Sequence, residues 1–452
     1  MIKNPTNINI KSCIQLYLIF SVFLIINGCA QNDAYRINFA PCTFNQPGDC
    51  SQNALQYYAP SQAAEYRLGF VEFDDQGQLR QREQMEAVLD NYFTVAAKDD
   101  VLLILFIHGW HHSARPGDDN IHEFRKLLEK IARIENTSAN LNSHAPRKIL
   151  GLYVGWRGES IEIPILNKIT FWERKNTAHE IGLEGVTELL LKMEEITNIK
   201  MGIASTEEPK TRNNRLIVIG HSFGGTVLYT ALQQIMADRF IDSRPNKTYS
   251  DDAKGFGDLV ILMNPAFEAI RFATLYDISQ QDCRNYFPSQ LPRMVILTSE
   301  KDYATRFAFP LGRSFSTIFE THTTSKRHHC TANGPKEIFI KQGEADRNAI
   351  GHFKPYHTHE LVPATTKQLR SDDAKYSHLK NIWSKQINEG TLHFEDVDLI
   401  HLGNTKPLNP YLNIYVDGKL IPDHIKIWGD SISDFIRDLI VLSSLPVQNG
   451  KH

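Results

Sequence analysis

The sequence predicts an α/β fold built on a mainly parallel sheet with helices on both faces. Three observations carry this. Val101 to Ile107 is a run of seven apolar residues, which suits a strand buried on both faces of a parallel sheet. Apolar strand-like runs alternate with segments of helical periodicity along most of the chain, the pattern of repeated strand–helix–strand units. Gly220-His221-Ser222-Phe223-Gly224 follows the apolar run Leu216 to Ile219 and precedes Gly225 to Tyr229, so a buried strand turns sharply into a helix there. With 452 residues, 42% hydrophobic content and a net charge of -3, the chain can bury one large core or two smaller ones. Its charge offers no nucleic-acid surface.

Tyr66 to Phe73 alternates partially, as a strand with one open face does, and Asp75-Gln76-Gly77 supplies its turn. Gln81 to Val95 places Met85, Val88, Leu89 and Phe93 on one side of a helix. After the Val101 to Ile107 strand come a helix from about Asn120 to Ile134, a strand at Lys148 to Val154, and a helix from about Ala178 to Ile196. The strand before Ser222, the helix after it, and apolar strands at Leu259 to Met263 and Met294 to Thr298 complete the rhythm. A segment of about residues 310–410 then breaks it, being polar and rich in His, Lys and Thr, with an apolar patch at Ile338 to Ile340 and a helix at Ala374 to Asn388. This insertion before the last strand reads either as a lid over an active site or as a surface excursion. Leu412 to Val416 is the last strand, Asp417-Gly418 its turn, and Phe435, Ile436 and Leu439 mark a terminal amphipathic helix.

Active sites in parallel sheets gather at the carboxyl ends of the strands, so the chemistry belongs in the loops just after them. The G-x-S-x-G turn is a nucleophile elbow, and Ser222 is the candidate nucleophile. A serine hydroxyl attacks only when a base removes its proton and a third group fixes that base. The elbow resembles that of the α/β-hydrolases, in which an acid and then a histidine follow in chain order. Asp302, after the Met294 to Thr298 strand, is the expected acid, with Glu268 and Glu300 as alternatives. His424, after the last strand, is the expected base; His393 and His401 fall before that strand and read as ordinary histidines. Phe223 follows the nucleophile, so its backbone amide is one candidate oxyanion donor, and Phe106-Ile107-His108-Gly109-Trp110 at the end of an early strand resembles the HG-x oxyanion motif of the α/β-hydrolase superfamily, which implies the Trp110 amide as the other. The alternative is that His108 and Trp110 only pack that loop.

The elbow, the Phe106-Ile107-His108-Gly109-Trp110 string, the acid loop and the late histidine together resemble the α/β-hydrolase superfamily. With Gly155-Trp156-Arg157-Gly158, Asn264-Pro265-Ala266-Phe267-Glu268-Ala269 and Asp302-Tyr303-Ala304-Thr305, they resemble a poorly characterised group of bacterial esterase- or lipase-like proteins. The resemblance implies a serine hydrolase acting on small-molecule or lipid esters through an acyl-enzyme, with no metal or organic cofactor. Amidase, thioesterase and acyltransferase chemistry would use the same three side chains, and a non-catalytic envelope binding protein could keep the fold. Arg157 could recognise an anionic substrate group or serve in a structural salt bridge. His111-His112 and His328-His329-Cys330 offer adjacent side chains that point apart on an extended segment, so neither reads as a metal site.

The amino terminus resembles a bacterial lipoprotein signal peptide over residues 1–28. Lys3 and Lys11 precede an apolar stretch from Ile14 to Ile26 that ends in Asn27-Gly28-Cys29. That stretch, about 13 residues, falls short of the roughly 20 that span a bilayer, although an uncleaved anchor is the alternative. The resemblance implies that Cys29 becomes the first mature residue, carrying the lipid anchor, with residues 29–62 as a tether and 63–450 as the hydrolase domain. Ala30 lacks the aspartate that retains such proteins in the inner membrane, which favours the outer membrane. In that oxidising compartment Cys42, Cys50, Cys283 and Cys330 are left to pair, Cys42 with Cys50 and Cys283 with Cys330 being favoured among three connectivities.

Overall fold

Strand β5 (Val101–Ile107) has every side chain inaccessible to solvent, as its unbroken apolar run demands. In this computed structural model, residues 33–44, 47–141, 145–156, 166–198, 213–243, 252–365, 375–387 and 390–444 are described. The chain divides into two units, Met1–Ala34 and Tyr35–His452, and the second contains the sheet. The expected signal segment, Cys29 and Arg157 lie outside the described residues. Among those residues, no helix is long and apolar enough to cross a membrane.

Strand β5 is flanked by β6 (Lys148–Gly155) and β7 (Arg215–His221), both parallel to it. Outward from β6 lie β4 (Tyr66–Glu72), parallel, then β3 (Leu55–Tyr58), antiparallel, and β1 (Cys42–Phe44). Outward from β7 lie β8 (Leu259–Met263), β9 (Met294–Ser299) and β15 (Tyr411–Val416), all parallel. Beyond β15 come β12 (His359–Pro363), β14 (Val397–His401) and β13 (Thr391–His393). Twelve strands among the described residues therefore form one sheet, in the order β1-β3-β4-β6-β5-β7-β8-β9-β15-β12-β14-β13.

Register aligns the carboxyl ends of the strands. Ile107 stands opposite both Val154 and Gly220, and Val416 stands opposite Ser299. The loops after these strands therefore leave the sheet from one edge. Helix α1 (Arg82–Ala96) joins β4 to β5, while α2 (Asp119–Leu141) returns from β5 to β6 in the opposite direction across the sheet. Right-handed crossovers then put α1 and α2 on opposite faces. Helices α3 (Leu166–Leu183) and α4 (Gly185–Thr197) lead to β7, in place of the single helix expected from about residue 178. Helix α5 (Phe223–Asp242) follows β7, α6 (Ala269–Gln280) follows β8, and a terminal helix spans Asp430–Ser443.

Two segments depart from their expected description. Residues 29–62 read as a polar tether, yet from Tyr35 onward they are built into the sheet edge. Arg36 is the reason a polar stretch can be ordered there: it is buried over the Phe70 ring, 4.0 Å from its centroid, and donates from Nε to the Ala114 carbonyl at 2.9 Å. The amides of Tyr35 and Arg36 bind the Glu72 carboxylate at 2.9 to 3.1 Å. A disulfide between Cys42 and Cys50 closes the lead-in, with strand β2 (Pro47–Cys50) inside the loop.

The segment 310–410 is neither wholly lid nor wholly surface excursion. It begins with helix α7 (Phe309–Ser316) and a two-stranded antiparallel hairpin, β10 (Thr324–Thr331) with β11 (Gly334–Lys341), followed by α8 (Gln342–Arg347). The Cys283–Cys330 disulfide ties this hairpin to the end of α6. Helix α9 (Lys375–Ser384) matches the expected helix. The remainder extends the sheet, because Leu361, Val397 and Leu399 are buried once β12 pairs with β15. Short edge strands with mixed polarity carry little periodic signal.

Candidate active site

Ser222 is the residue between β7 and α5, and its backbone adopts φ 54° and ψ -118°. A non-glycine residue there is strained, and the packing around it holds the conformation. Its amide donates to the Met263 carbonyl at 2.9 Å, tying the turn to β8. Close approach fixes the glycines: a Cβ on Gly224 would collide with the carbonyl oxygens of Ile107 and His108, and one on Gly109 would lie 2.8 Å from the Ser222 Cβ. The His108-Gly109-Trp110 loop after β5 is therefore pressed against the serine.

His424 lies in the loop after β15. Its Nε2 is 2.7 Å from Ser222 Oγ and its Nδ1 is 2.8 Å from Asp302 Oδ1. The serine hydroxyl donates to Nε2, and Nδ1–H donates to the carboxylate. The backbone of His424 is held as well: its carbonyl accepts from His221 Nε2 at 2.9 Å and from Asn264 Nδ2 at 3.1 Å. Asn264 Oδ1 in turn accepts from the Ser299 amide at 3.0 Å. Asn264 thus links the acid loop to the histidine loop. His221 is fully buried, and burial pushes its imidazole down to about 3, so it stays neutral and presents Nε2–H.

Asp302 is buried, which would raise its carboxyl, but His424 and Thr305 outweigh that and hold it below the usual range. The Thr305 amide donates to Oδ1 at 3.1 Å, and the Thr305 hydroxyl donates to Oδ2. That hydroxyl accepts in turn from His352 Nε2 at 3.0 Å, and burial keeps His352 neutral, down to about 4. Asp302 is therefore an anion aimed at the imidazole.

The other acids are occupied elsewhere. Glu268 is buried among Lys175, Arg271 at 2.7 Å and Arg313 at 3.2 Å. Burial would raise its carboxyl, yet these three cations bring it down to about 2. Glu300 accepts from the Gly418 amide at 3.1 Å. His393 pairs with Asp398 at 2.7 Å, and His401 lies 3.0 Å from the Thr405 hydroxyl. His108 shapes its loop: Nδ1–H donates to the Gly109 carbonyl at 2.8 Å and Nε2 accepts from the Trp156 amide at 3.1 Å. Burial holds it neutral, down to about 4. Phe223 is the first residue of α5, and Trp110 follows Gly109 at the serine.

Ser222, Asp302 and His424, expected from chain order, come together, and His221, Asn264, Thr305 and His352 join them unforeseen. His221 and Thr305 sit inside the Gly220–Gly224 and Asp302–Thr305 strings, so their adjacency to Ser222 and Asp302 was the available signal. Asn264 opens the Asn264–Ala269 string at a strand end and has a positive φ of 44°. One group that could hold a cation occurs among the described residues, Glu320, His322 and Asp346, but Asp346 is already bound by Arg313 at 2.6 Å.

The fold and the geometry define a class: an α/β protein whose serine, histidine and aspartate converge at the carboxyl edge of a largely parallel sheet. No protein-family model, curated protein or solved structure matches the chain.

Proposed function

We propose that this protein is a serine hydrolase of the α/β-hydrolase type that cleaves carboxylic esters, and that it is held by a lipid on Cys29 in a bacterial envelope, at the outer membrane. One observation carries the catalytic reading: Ser222 Oγ, His424 Nε2, His424 Nδ1 and Asp302 Oδ1 form an unbroken hydrogen-bonded relay of 2.7 and 2.8 Å. The paired disulfide cysteines, Cys42 with Cys50 and Cys283 with Cys330, support an oxidising compartment.

In this reading His424 takes the Ser222 proton as Oγ attacks the ester carbonyl, and Asp302 offsets the charge on the imidazolium. The amides of Phe223 and Trp110 bind the oxyanion. The tetrahedral intermediate collapses, the C–O bond to the alcohol breaks, and His424 gives its proton to the leaving oxygen. Water then attacks the acyl-enzyme, losing a proton to His424, and the acid product leaves as Ser222 regains its hydrogen.

The test is fluorophosphonate labelling of the chain from residue 30, beside Ser222→Ala and His424→Ala. Labelling of the parent and of neither variant supports an activated serine. A folded parent that resists the probe would leave the non-catalytic binding protein as the better reading. Ester, amide and thioester panels then separate the chemistries that share the relay.

A further inference from the structure

Directly after Asp302 the chain exposes a row of apolar side chains at intervals of four residues. Tyr303, Phe307, Leu311, Phe315 and Phe319 are 73, 50, 59, 69 and 97% exposed, and Ile318 adds to the row. They lie on the turn and helices over residues 303–319, whose other face buries Thr305, Phe309 and Thr317. A helical stripe usually turns its apolar face to a core. This one turns aromatic rings to solvent, and a contiguous apolar patch of that kind marks an interaction surface. Ile425, beside His424, is exposed as well.

The second observation is where the chain enters the folded unit. The amides of Tyr35 and Arg36 bind Glu72, the last residue of β4, and Arg36 Nε binds the Ala114 carbonyl in the loop after β5. Strands β4 and β5 run in the same direction as β7, β9 and β15. The amino-terminal segment therefore enters at the edge that carries Ser222, Asp302, His424 and the start of the stripe. From Cys29 to Arg36 the chain can reach at most about 25 Å. A lipid on Cys29 would keep this edge, rather than the opposite one, next to the bilayer.

We propose that the 303–319 stripe docks this edge onto the bilayer that holds the Cys29 lipid, so that the ester cleaved is an acyl lipid drawn from that bilayer. The inference rests on the serine-hydrolase and lipid-anchor readings above. The bilayer is favoured over a second copy of the chain because a dimer sealed on this edge would cover the place where each tether enters. Aromatic and aliphatic side chains suit the boundary between headgroups and acyl chains. Lys301 and Arg306 beside the stripe are exposed, but Glu300 precedes them and Asp417 follows Val416, which pairs with Ser299, so binding should be mainly apolar and persist at high salt.

The experiment uses the chain from residue 30, without lipid, and co-sedimentation with phosphatidylethanolamine–phosphatidylglycerol vesicles. The parent is compared with Phe315→Ser/Phe319→Ser and with Ile241→Ser, which removes an exposed apolar residue near the far end of α5. The parent and Ile241→Ser should sediment, while the double variant should bind at least about tenfold more weakly. The double variant should lose phospholipid hydrolysis while keeping fluorophosphonate labelling and hydrolysis of a soluble short-chain ester. Equal sedimentation of parent and double variant would overturn the proposal, as would a parent that does not bind vesicles. A parent dimer that the double variant disperses would assign the stripe to a second copy. If the parent binds vesicles but nothing labels, it is the hydrolase reading that fails.

Discussion

At the scale of single residues, His424 is held at three atoms: both ring nitrogens and its own carbonyl oxygen. The carbonyl contacts make Asn264 a positioning residue. Asn264→Ala should leave substrate KM nearly unchanged and lower kcat by about tenfold or more, because a base displaced by about 1 Å loses alignment with the hydroxyl. A loss in KM alone would argue against that role. Ser222→Ala and His424→Ala should each lower ester hydrolysis by at least about 10⁴-fold with no additivity in the double variant, since the two act as a unit. Glu268 predicts a stability effect instead. Its carboxyl is held down by Lys175, Arg271 and Arg313 against the opposing effect of burial, so the stability it contributes is present above its unfolded value near 4.5 and is lost as pH falls toward about 2. Glu268→Gln should remove that acid dependence and cost about 1 to 3 kcal/mol in denaturant unfolding, because Lys175, Arg271 and Arg313 lose a shared carboxylate.

At the scale of elements, the turn from β7 into α5 tolerates no side chain at Gly224, where any Cβ meets the backbone oxygens of Ile107 and His108. Gly224→Ala should therefore separate α5 from the β5 loop and abolish labelling of Ser222, read against circular dichroism to follow any loss of fold. Cys283→Ser/Cys330→Ser frees the β10–β11 hairpin from α6. It should lower stability by about 2 to 4 kcal/mol while Ser222 chemistry persists. These elements also show what was legible beforehand. The unbroken run of β5 and the glycine-bounded serine declared themselves because burial on two faces and a crowded turn each restrict composition locally. Asp302 and His424 were legible by chain order and by following strands. The contacts of His221 and Asn264 with the His424 carbonyl span 203 and 160 residues and involve a main-chain atom that every residue type presents. Nothing in composition marks such a bond. Strands β12 to β14 were missed for a related reason, since edge pairing and not periodicity creates them, and Arg36 made a core of what read as tether.

At the scale of the whole molecule, four histidines among the described residues are buried: His108, His221, His357 and His359. Burial brings His108 and His357 down to about 4, His221 to about 3, and His359 well below its ordinary value. In the unfolded chain each would take a proton near pH 6.5, whereas the folded protein excludes it. Stability is thus fully present above about 6.5 and falls as pH drops through that value toward 4, at about 1.4 kcal/mol per pH unit for each histidine. The thermal midpoint should drop markedly between about pH 7.5 and pH 5.5. An unchanged midpoint over that interval would mean that these rings are protonated in the fold.

The pairing order of the sheet also has a consequence in time. β15 takes its place between β9 and β12 only after more than a hundred residues beyond β9 have been made, and His424 follows it. A nascent chain carries its serine, its acid and its exposed apolar stripe long before it carries its base. On the proposed function, synthesis itself withholds reactivity: the chain stays inert toward esters until His424 has been delivered, and any product truncated ahead of residue 424 stays inert for good.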